Sequence, residues 1–511
     1  MKPVRFRPLT SVSRILCIPL FVAFLLLANG ASVSANVAAS QGPRSLQSNV
    51  SNHAIKPNVY TACPPPFITP KTCVPTDGQV SEPGAVVAGA TIAADPGLST
   101  DLVSGGRDAN CPAPFSSPGD ASFYSSTNGG VSWSVPYCMP SIDGGTQGGA
   151  PGAAFDLTHN SYIAADESGT SPDGTDIFVE SSSGCSGPPW CTPVTIAPHF
   201  AGGSIDQFNM QVDDHSVSPY LNCIYAAARQ GDSTSTHLSI TVSYLCPPYT
   251  WGSNTFTTTV VTTVNYPATT VVSPSLTIGT NGTVYVTWLQ CNPFSSDHHC
   301  GKGTSSTLWI SKSTNHGATW SAPILITNVT LVPDTCSHSL GCIPGTSDQL
   351  ADGPSVGIGF KNKLYVTYYT YIGSQLQVKV RTSINGGATW SAAVRVNPTD
   401  TNDEFLPWLS VNPATGTVGV TWLELYTSGP NAGMYQEYGA LEKFNSPIWA
   451  VSPPLSSALS NPNNTGWYNP YLGDYMDNIW VQTGSVYTLY AVWTDNRAQD
   501  QVYVGGIISR Y

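Results

Sequence analysis

One eight-residue phrase occurs three times and constrains the fold more than any other feature of the chain. It reads Ser126-Thr127-Asn128-Gly129-Gly130-Val131-Ser132-Trp133, then Ser313-Thr314-Asn315-His316-Gly317-Ala318-Thr319-Trp320, then Ser383-Ile384-Asn385-Gly386-Gly387-Ala388-Thr389-Trp390. Each copy follows a short run of strand formers, such as residues 307–312 or 377–381, and leads into another, such as 323–327 or 394–397. Asn and Gly accept the left-handed backbone that a tight hairpin turn needs, and an Asn side chain can bond the turn amides. The phrase predicts a β-hairpin with a fixed turn, its Trp covering it against a neighbour.

Between these turns lies a second phrase: a strand, a turn, and a strand ending in aromatic residues. It is clear at 274–289, 354–369 and 407–423, and weaker at 151–165, 210–228 and 475–495. Together the two phrases mark units of four strands at about 81–142, 148–197, 205–265, 272–330, 352–398, 404–455 and 466–511. Units two, three and six have degenerate turns, and the last has no clear fourth strand. Radial repetition of small antiparallel sheets is a β-propeller. The expectation is an all-β propeller of four-stranded blades, seven by this count. A pair of β-sandwiches, the alternative, would not be expected to repeat the hairpin phrase.

Composition removes other classes. Only 10% of residues are charged, against about 25% in an average soluble protein, and the chain carries 13 Trp, 24 Tyr and 15 Phe. Disordered chains are poor in aromatics and rich in charge. Nucleic-acid binders carry a basic footprint, whereas the formal net charge here is −12. A surface with few carboxylates also leads us to expect folding that tolerates acid.

The N-terminus reads as an export signal. Lys2, Arg5, Arg7 and Arg14 precede an apolar run at 15–28 and a small-residue cleavage site, Val33-Ser34-Ala35. The run is short for a membrane span, although an uncleaved anchor is the alternative. We therefore divide the chain into a signal peptide at 1–35, a Pro-rich segment at 36–80 and a propeller at 81–511, and expect a secreted monomer. The Pro-rich segment reads as a linker or cover, or as the missing outer strand of the last unit. Apart from Cys17, in the signal, the cysteines fall as close pairs: Cys63/Cys73, Cys111/Cys138, Cys185/Cys191, Cys223/Cys246, Cys291/Cys300 and Cys336/Cys342. None has zinc-knuckle spacing, and six local disulfides are expected.

The repeated turn resembles the Asp-box, or bacterial neuraminidase repeat, Ser-x-Asp-x-Gly-x-Thr-Trp, with Asn in the Asp place and Ser132 for one Thr. The stretches Tyr471-Leu472-Gly473-Asp474-Tyr475 and Val492-Trp493-Thr494-Asp495-Asn496-Arg497 also resemble secreted bacterial members of the sialidase-like superfamily. Sialidases are similar propellers with six blades, so the resemblance leaves blade number open between six and seven. It implies three Arg holding a substrate carboxylate, a Tyr nucleophile helped by a Glu, and an Asp acid/base. Arg suits such a task because its planar fork binds carboxylate bidentately. Arg107, Arg229 and Arg497 each follow the second strand of a unit and are the candidate triad. Ion pairs with Asp108, Asp232 or Asp495 are the structural alternative. Tyr471 or Tyr475 matches the nucleophile loosely, Glu424 its helper, and Asp166 or Glu167 the acid/base.

Two functions stay open: an exo-glycosidase of sialidase type, and a non-catalytic propeller binding a glycan or a cell-surface protein. The second is motivated by the absence of the Phe-Arg-Ile-Pro motif that usually carries the first sialidase Arg. It predicts a channel lined by aromatics and amides without grouped Arg, Tyr and Glu. No cofactor is expected. The oxygen-rich run at 166–176 is compatible with Ca²⁺ but lacks EF-hand spacing, and His298-His299 has no third ligand nearby. Asn49, Asn281, Asn328 and Asn463 stand in glycosylation sequons.

Overall fold

A computed structural model describes residues 61–62 and 72–510, the latter interrupted at 110, 112–119, 141–145, 148–150, 169–174, 183–189, 198–204, 233–235, 293–299, 301–304, 334–340, 347–349, 351–352, 399, 443–447, 467–471 and 474. The chain forms seven sheets arranged as a β-propeller; six are built on four antiparallel strands in sequence order, and the seventh on three such strands completed from the N-terminal side, where Thr61–Ala62 adds a short parallel pairing to Thr72–Val74. The seven innermost strands are Val87–Ala94, Gly152–Phe155, Ile205–Val212, Thr270–Ile278, Ser355–Gly359, Asp403–Val411 and Asp477–Thr483. We number the blades 1 to 7 in this order. Blade 2 carries an additional short strand, Thr146–Gln147.

Blade 7 takes its outer strand from the other end of the chain. Thr72–Val74 and Gly78–Gln79 both pair antiparallel with Gln501–Arg510, through Thr72 opposite Ser509 and Gln79 opposite Tyr503. Asp77, between the two pieces, accepts from Arg497 Nη2 at 2.5 Å and from the Ser457 amide at 3.1 Å. At the inner end of this seam Gly473 and Gly89 touch. A Cβ on Gly473 would overlap the Gly89 backbone, so only glycine fits there.

Neighbouring blades share no ladder, so the amides of the inner strands need other partners. Side chains supply them. The Leu276 amide donates to Asn209 Oδ1 at 3.0 Å, the Val356 amide to Ser275 Oγ at 3.2 Å and the Leu409 amide to Ser355 Oγ at 3.0 Å. At the seam the Ile92 amide donates to Asp477 Oδ2 at 3.0 Å. These acceptors occupy one register level of the repeat. Four inner strands bulge just before it, where Gly89, Gln207, Ser273 and Leu406 adopt positive φ.

The three repeated turns share one geometry. In each, the Ser hydroxyl (Ser126, Ser313, Ser383) donates to Asn Oδ1 at 2.8–2.9 Å and accepts the amide four residues on at 2.9–3.0 Å. Asn Oδ1 also accepts the amide of Ser132, Thr319 or Thr389 at 3.0 Å. Each turn docks on the preceding blade: Tyr490 bonds Gly129 O, Thr259 bonds Gly317 O and Lys312 bonds Gly386 O. Replacing Asn315 by Ala removes an acceptor that serves a hydroxyl and an amide. Asn315→Ala is expected to lower unfolding free energy by about 1–2 kcal/mol. An unchanged denaturant midpoint would contradict this role.

Disulfides join Cys111–Cys138, Cys223–Cys246 and Cys291–Cys300. Cys73, Cys191 and Cys342 are disulfide-bonded as well; Cys63, Cys185 and Cys336 lie outside the described residues. Among the described residues, no helix is long and apolar enough to cross a membrane.

Candidate functional site: the axial channel and the strand ends above it

The inner strands enclose a cavity of about 560 Å³ on the ring axis, lined by 90–94, 151–155, 208–212, 277–278, 356–359, 408–411 and 475–481. The size suits a small-molecule site. Its walls carry aromatic rings (Phe155, Phe208, Phe360, Trp408, Tyr475, Trp480) and amides (Asn209, Gln211, Asn412, Asn478, Gln482). No Arg and no Glu lines it among the described residues.

Its charged groups lie mostly where the hairpins turn back at the lower mouth: Asp95, Asp214, His215 and Lys361. Asp95 accepts the Gly97 and Leu98 amides and meets His159 Nδ1 at 2.9 Å, so it closes its own turn and ties blade 1 to blade 2. His215 Nδ1 lies 3.3 Å from Asp213 and 3.5 Å from Asp214. Burial opposes its charge, but the two carboxylates outweigh that and raise its pKa above the usual imidazole value. Higher in the channel Asp477 accepts from Thr91 Oγ1, the Ile92 amide and its neighbour's amide. Enclosure pushes its pKa up to about 7, with these donors pulling the other way.

The triad arginines sit above the channel and do different work. Arg107 and Arg229 occupy the same register slot in blades 1 and 3, opposite Ala88 and Asp206. Arg229 is buried and donates to Asp206 at 2.5 Å; the anticipated partner Asp232 instead bonds His237 at 2.8 Å. In blade 7 the matching slot holds Thr494, whose hydroxyl accepts the Gly89 amide, and Arg497 lies three residues further on. Arg497 reaches Asp495 at 2.8 Å and Asp77 at 2.5 Å and lies 4.0 Å over the Tyr503 ring. Its guanidinium is committed to the closing strand, as the ion-pair alternative with Asp495 anticipated in part.

Tyr475 packs against the cluster that contains Ala154, Phe208 and Met210, joining blade 7 to blades 2 and 3. Tyr471 and the Glu167 side chain lie outside the described residues. Asp166 is buried at the end of Ser161–Ser168.

Glu424, 3% exposed, accepts from Asn402 Nδ2 at 3.0 Å and Trp422 Nε1 at 3.4 Å. Burial pushes its pKa up to about 9, and a hydrogen bond to the half-exposed Asp400 adds to the rise. Tyr426 and Tyr438, whose hydroxyls are 2.7 Å apart, border this carboxyl pair. Sequence reasoning singled out Glu424 but passed over Asp400, which stands in a loop between blades with no motif around it. Phe208, Trp408 and Asp477 were missed too: Phe208 precedes the weak copy at 210–228, and the strand phrase that holds Trp408 and Asp477 marks a strand without marking its channel-lining residues.

No family model matches the chain, and no curated protein matches it. Among solved structures it is similar to a Dyadobacter fermentans protein of unknown function, at 12% identity over 87% of this chain and 100% of that one, with a TM-score of 0.46. A polysaccharide lyase that acts as an ulvan lyase gives 10% identity over 84% of this chain and 94% of that one, with a TM-score of 0.47. A Hadza microbial sialidase gives 12% identity over 66% of this chain and 63% of that one, with a TM-score of 0.40. At these identities no activity passes from those proteins to this one.

Proposed function

We propose that the protein is a secreted glycan-binding propeller that seats a neutral sugar in its axial channel. The observation that carries this reading is the channel wall: aromatic rings and amides, with no arginine among its described residues. Sugar C–H faces stack on aromatic rings, and their hydroxyls bond amides, without ionic partners. An acidic sugar would need Arg side chains free to bind its carboxylate. Arg229 and Arg497 are held by Asp206, Asp495 and Asp77 instead. Trp408, half-exposed to the channel, is the stacking platform in this reading.

A glycan array followed by titration calorimetry tests it. Neutral oligosaccharides are expected to bind, sialosides are not, and Trp408→Ala is expected to weaken binding more than tenfold while the fold persists. Selective sialoside binding, or full affinity in the Trp408 variant, would overturn it.

A second reading, an exo-glycosidase, is favoured by the pair Asp400 and Glu424. A buried carboxyl whose pKa is raised, hydrogen-bonded to a half-exposed Asp side chain, suits general acid/base work. Turnover of fluorogenic glycosides that disappears in Glu424→Gln supports this reading, and a panel without turnover removes it.

A further inference from the structure

We propose that Asn328 is an N-glycosylation site, and that its glycan shields the outer edge of blade 4. Asn328 stands in the sequon Asn328-Val329-Thr330, on the strand Ile324–Thr330. That strand is the outermost of its sheet, so one side of its backbone has no paired strand; only its end is tied, where the Thr330 amide donates to Thr370 Oγ1 at 3.1 Å. Alternation along the strand buries Val329 and turns Asn328 and Thr330 outward together. Acceptor amide and sequon hydroxyl thus share one exposed face.

Of the other sequons, Asn49 lies outside the described residues and the two that are described are engaged. The Asn281 side chain accepts the Thr283 amide at 3.2 Å inside a hairpin turn. Asn463 Nδ2 faces Asn461 Oδ1 at 3.4 Å. Asn328, by contrast, makes no side-chain hydrogen bond to any described residue, so a substituent on its nitrogen disrupts nothing.

The edge also has a need for cover. Leu325, on the same strand, is 45% exposed, and the strand carries no Lys, Arg, Asp, Glu or Pro. Such an edge invites pairing with another chain. A hydrated glycan blocks that approach without adding charge, which this chain uses sparingly.

The modification requires a membrane-linked oligosaccharide (polyprenyl phosphate or diphosphate type) and its transferase. The Asn328 amide nitrogen forms a bond to the anomeric carbon of the first sugar. The bond from that carbon to the phosphate oxygen breaks, the polyprenyl phosphate or diphosphate leaves with the electron pair, and the amide loses one proton to the transferase base. Passage through the export route, which the N-terminal signal predicts, brings the sequon to such an enzyme.

The test is glycopeptide mass spectrometry on the protein recovered from the growth medium of its native source, beside Asn328→Gln and Thr330→Ala variants produced in the same way. The expected result is a hexose- or hexosamine-containing mass on the Asn328 peptide, absent from both variants. The variants are expected to aggregate several-fold faster with an unchanged melting temperature. An unmodified Asn328 peptide in the secreted protein overturns the proposal, as does a glycan confined to Asn281 or Asn463.

Discussion

The melting temperature is expected to fall by roughly 10 °C as the pH is raised from 5 to 8. Three buried carboxyls carry this expectation: Glu180, Glu424 and Glu437, at most 3% exposed. Among the described residues no Lys or Arg pairs with any of them. Burial pushes Glu180 up to about 8 and Glu424 up to about 9, and holds Glu437 well above the usual range. The Tyr137 hydroxyl, 2.7 Å from Glu180, offsets its rise only in part. The sign follows from proton binding. An unfolded Glu releases its proton near pH 4, whereas these folded groups keep theirs, so the native state binds more protons in between. Their contribution is fully present below the unfolded pKa and is lost as pH rises toward 8 and 9. Over three pH units Glu180 and Glu424 would each forfeit roughly 3 kcal/mol. Calorimetric scans across this range check the slope, and Glu424→Gln and Glu437→Gln are expected to flatten it. A profile that is flat, or that rises with pH, would falsify this account. Acid tolerance, expected from the scarcity of carboxylates, here has a second and more specific source.

Removing residues 36–79 is expected to cost more than about 10 °C of melting temperature and to produce soluble aggregates. The deletion strips the outer strand from blade 7, the Asp77 partner of Arg497 and the disulfide of Cys73. It also removes Val74 from the largest hydrophobic cluster. What remains at the rim is Gln501–Arg510, ten residues of mostly apolar strand with an unpaired edge. Arg497 and Asp495 stay behind with an uncompensated geometry, so Arg497→Ala in the full chain should reproduce part of the loss. Calorimetry with light scattering on a chain that begins at Val80 is the measurement. An unchanged transition and a monodisperse sample would show that the ring closes without the segment.

The architecture was legible because its signals are local. The Ser–Asn turn satisfies itself within eight residues, so three copies in the sequence became three copies of one geometry. Strand spacing between the turns then set seven units. The candidate site was less legible because its grouping is a property of the ring. Arg107, Arg229 and Arg497 look equivalent when counted from strand ends, yet register puts only the first two in one slot. The carboxylate that engages Arg497 across the seam lies 420 residues earlier in the chain, beyond the reach of any spacing rule. The raised pKa values of Glu180 and Glu437 depend on burial, and a count of carboxylates says nothing of it. The wall of the channel likewise draws Phe208 and Trp408 from strands that share no motif at those positions.

The way the ring is fastened also fixes how it answers a pull. Thr72 lies opposite Ser509, so the start of the closing strand and the end of its partner leave the sheet side by side. Tension applied through the two chain ends first meets the short parallel strand Thr61–Ala62 outside it, and then loads the hydrogen bonds of the closing strand one after another, from Thr72 inward, rather than all at once. The fastening therefore peels like a zipper under low force, while heat must break it together with the Arg497 contacts and the packing behind them. A molecule tethered to a surface by one end never meets that load and keeps its ring shut.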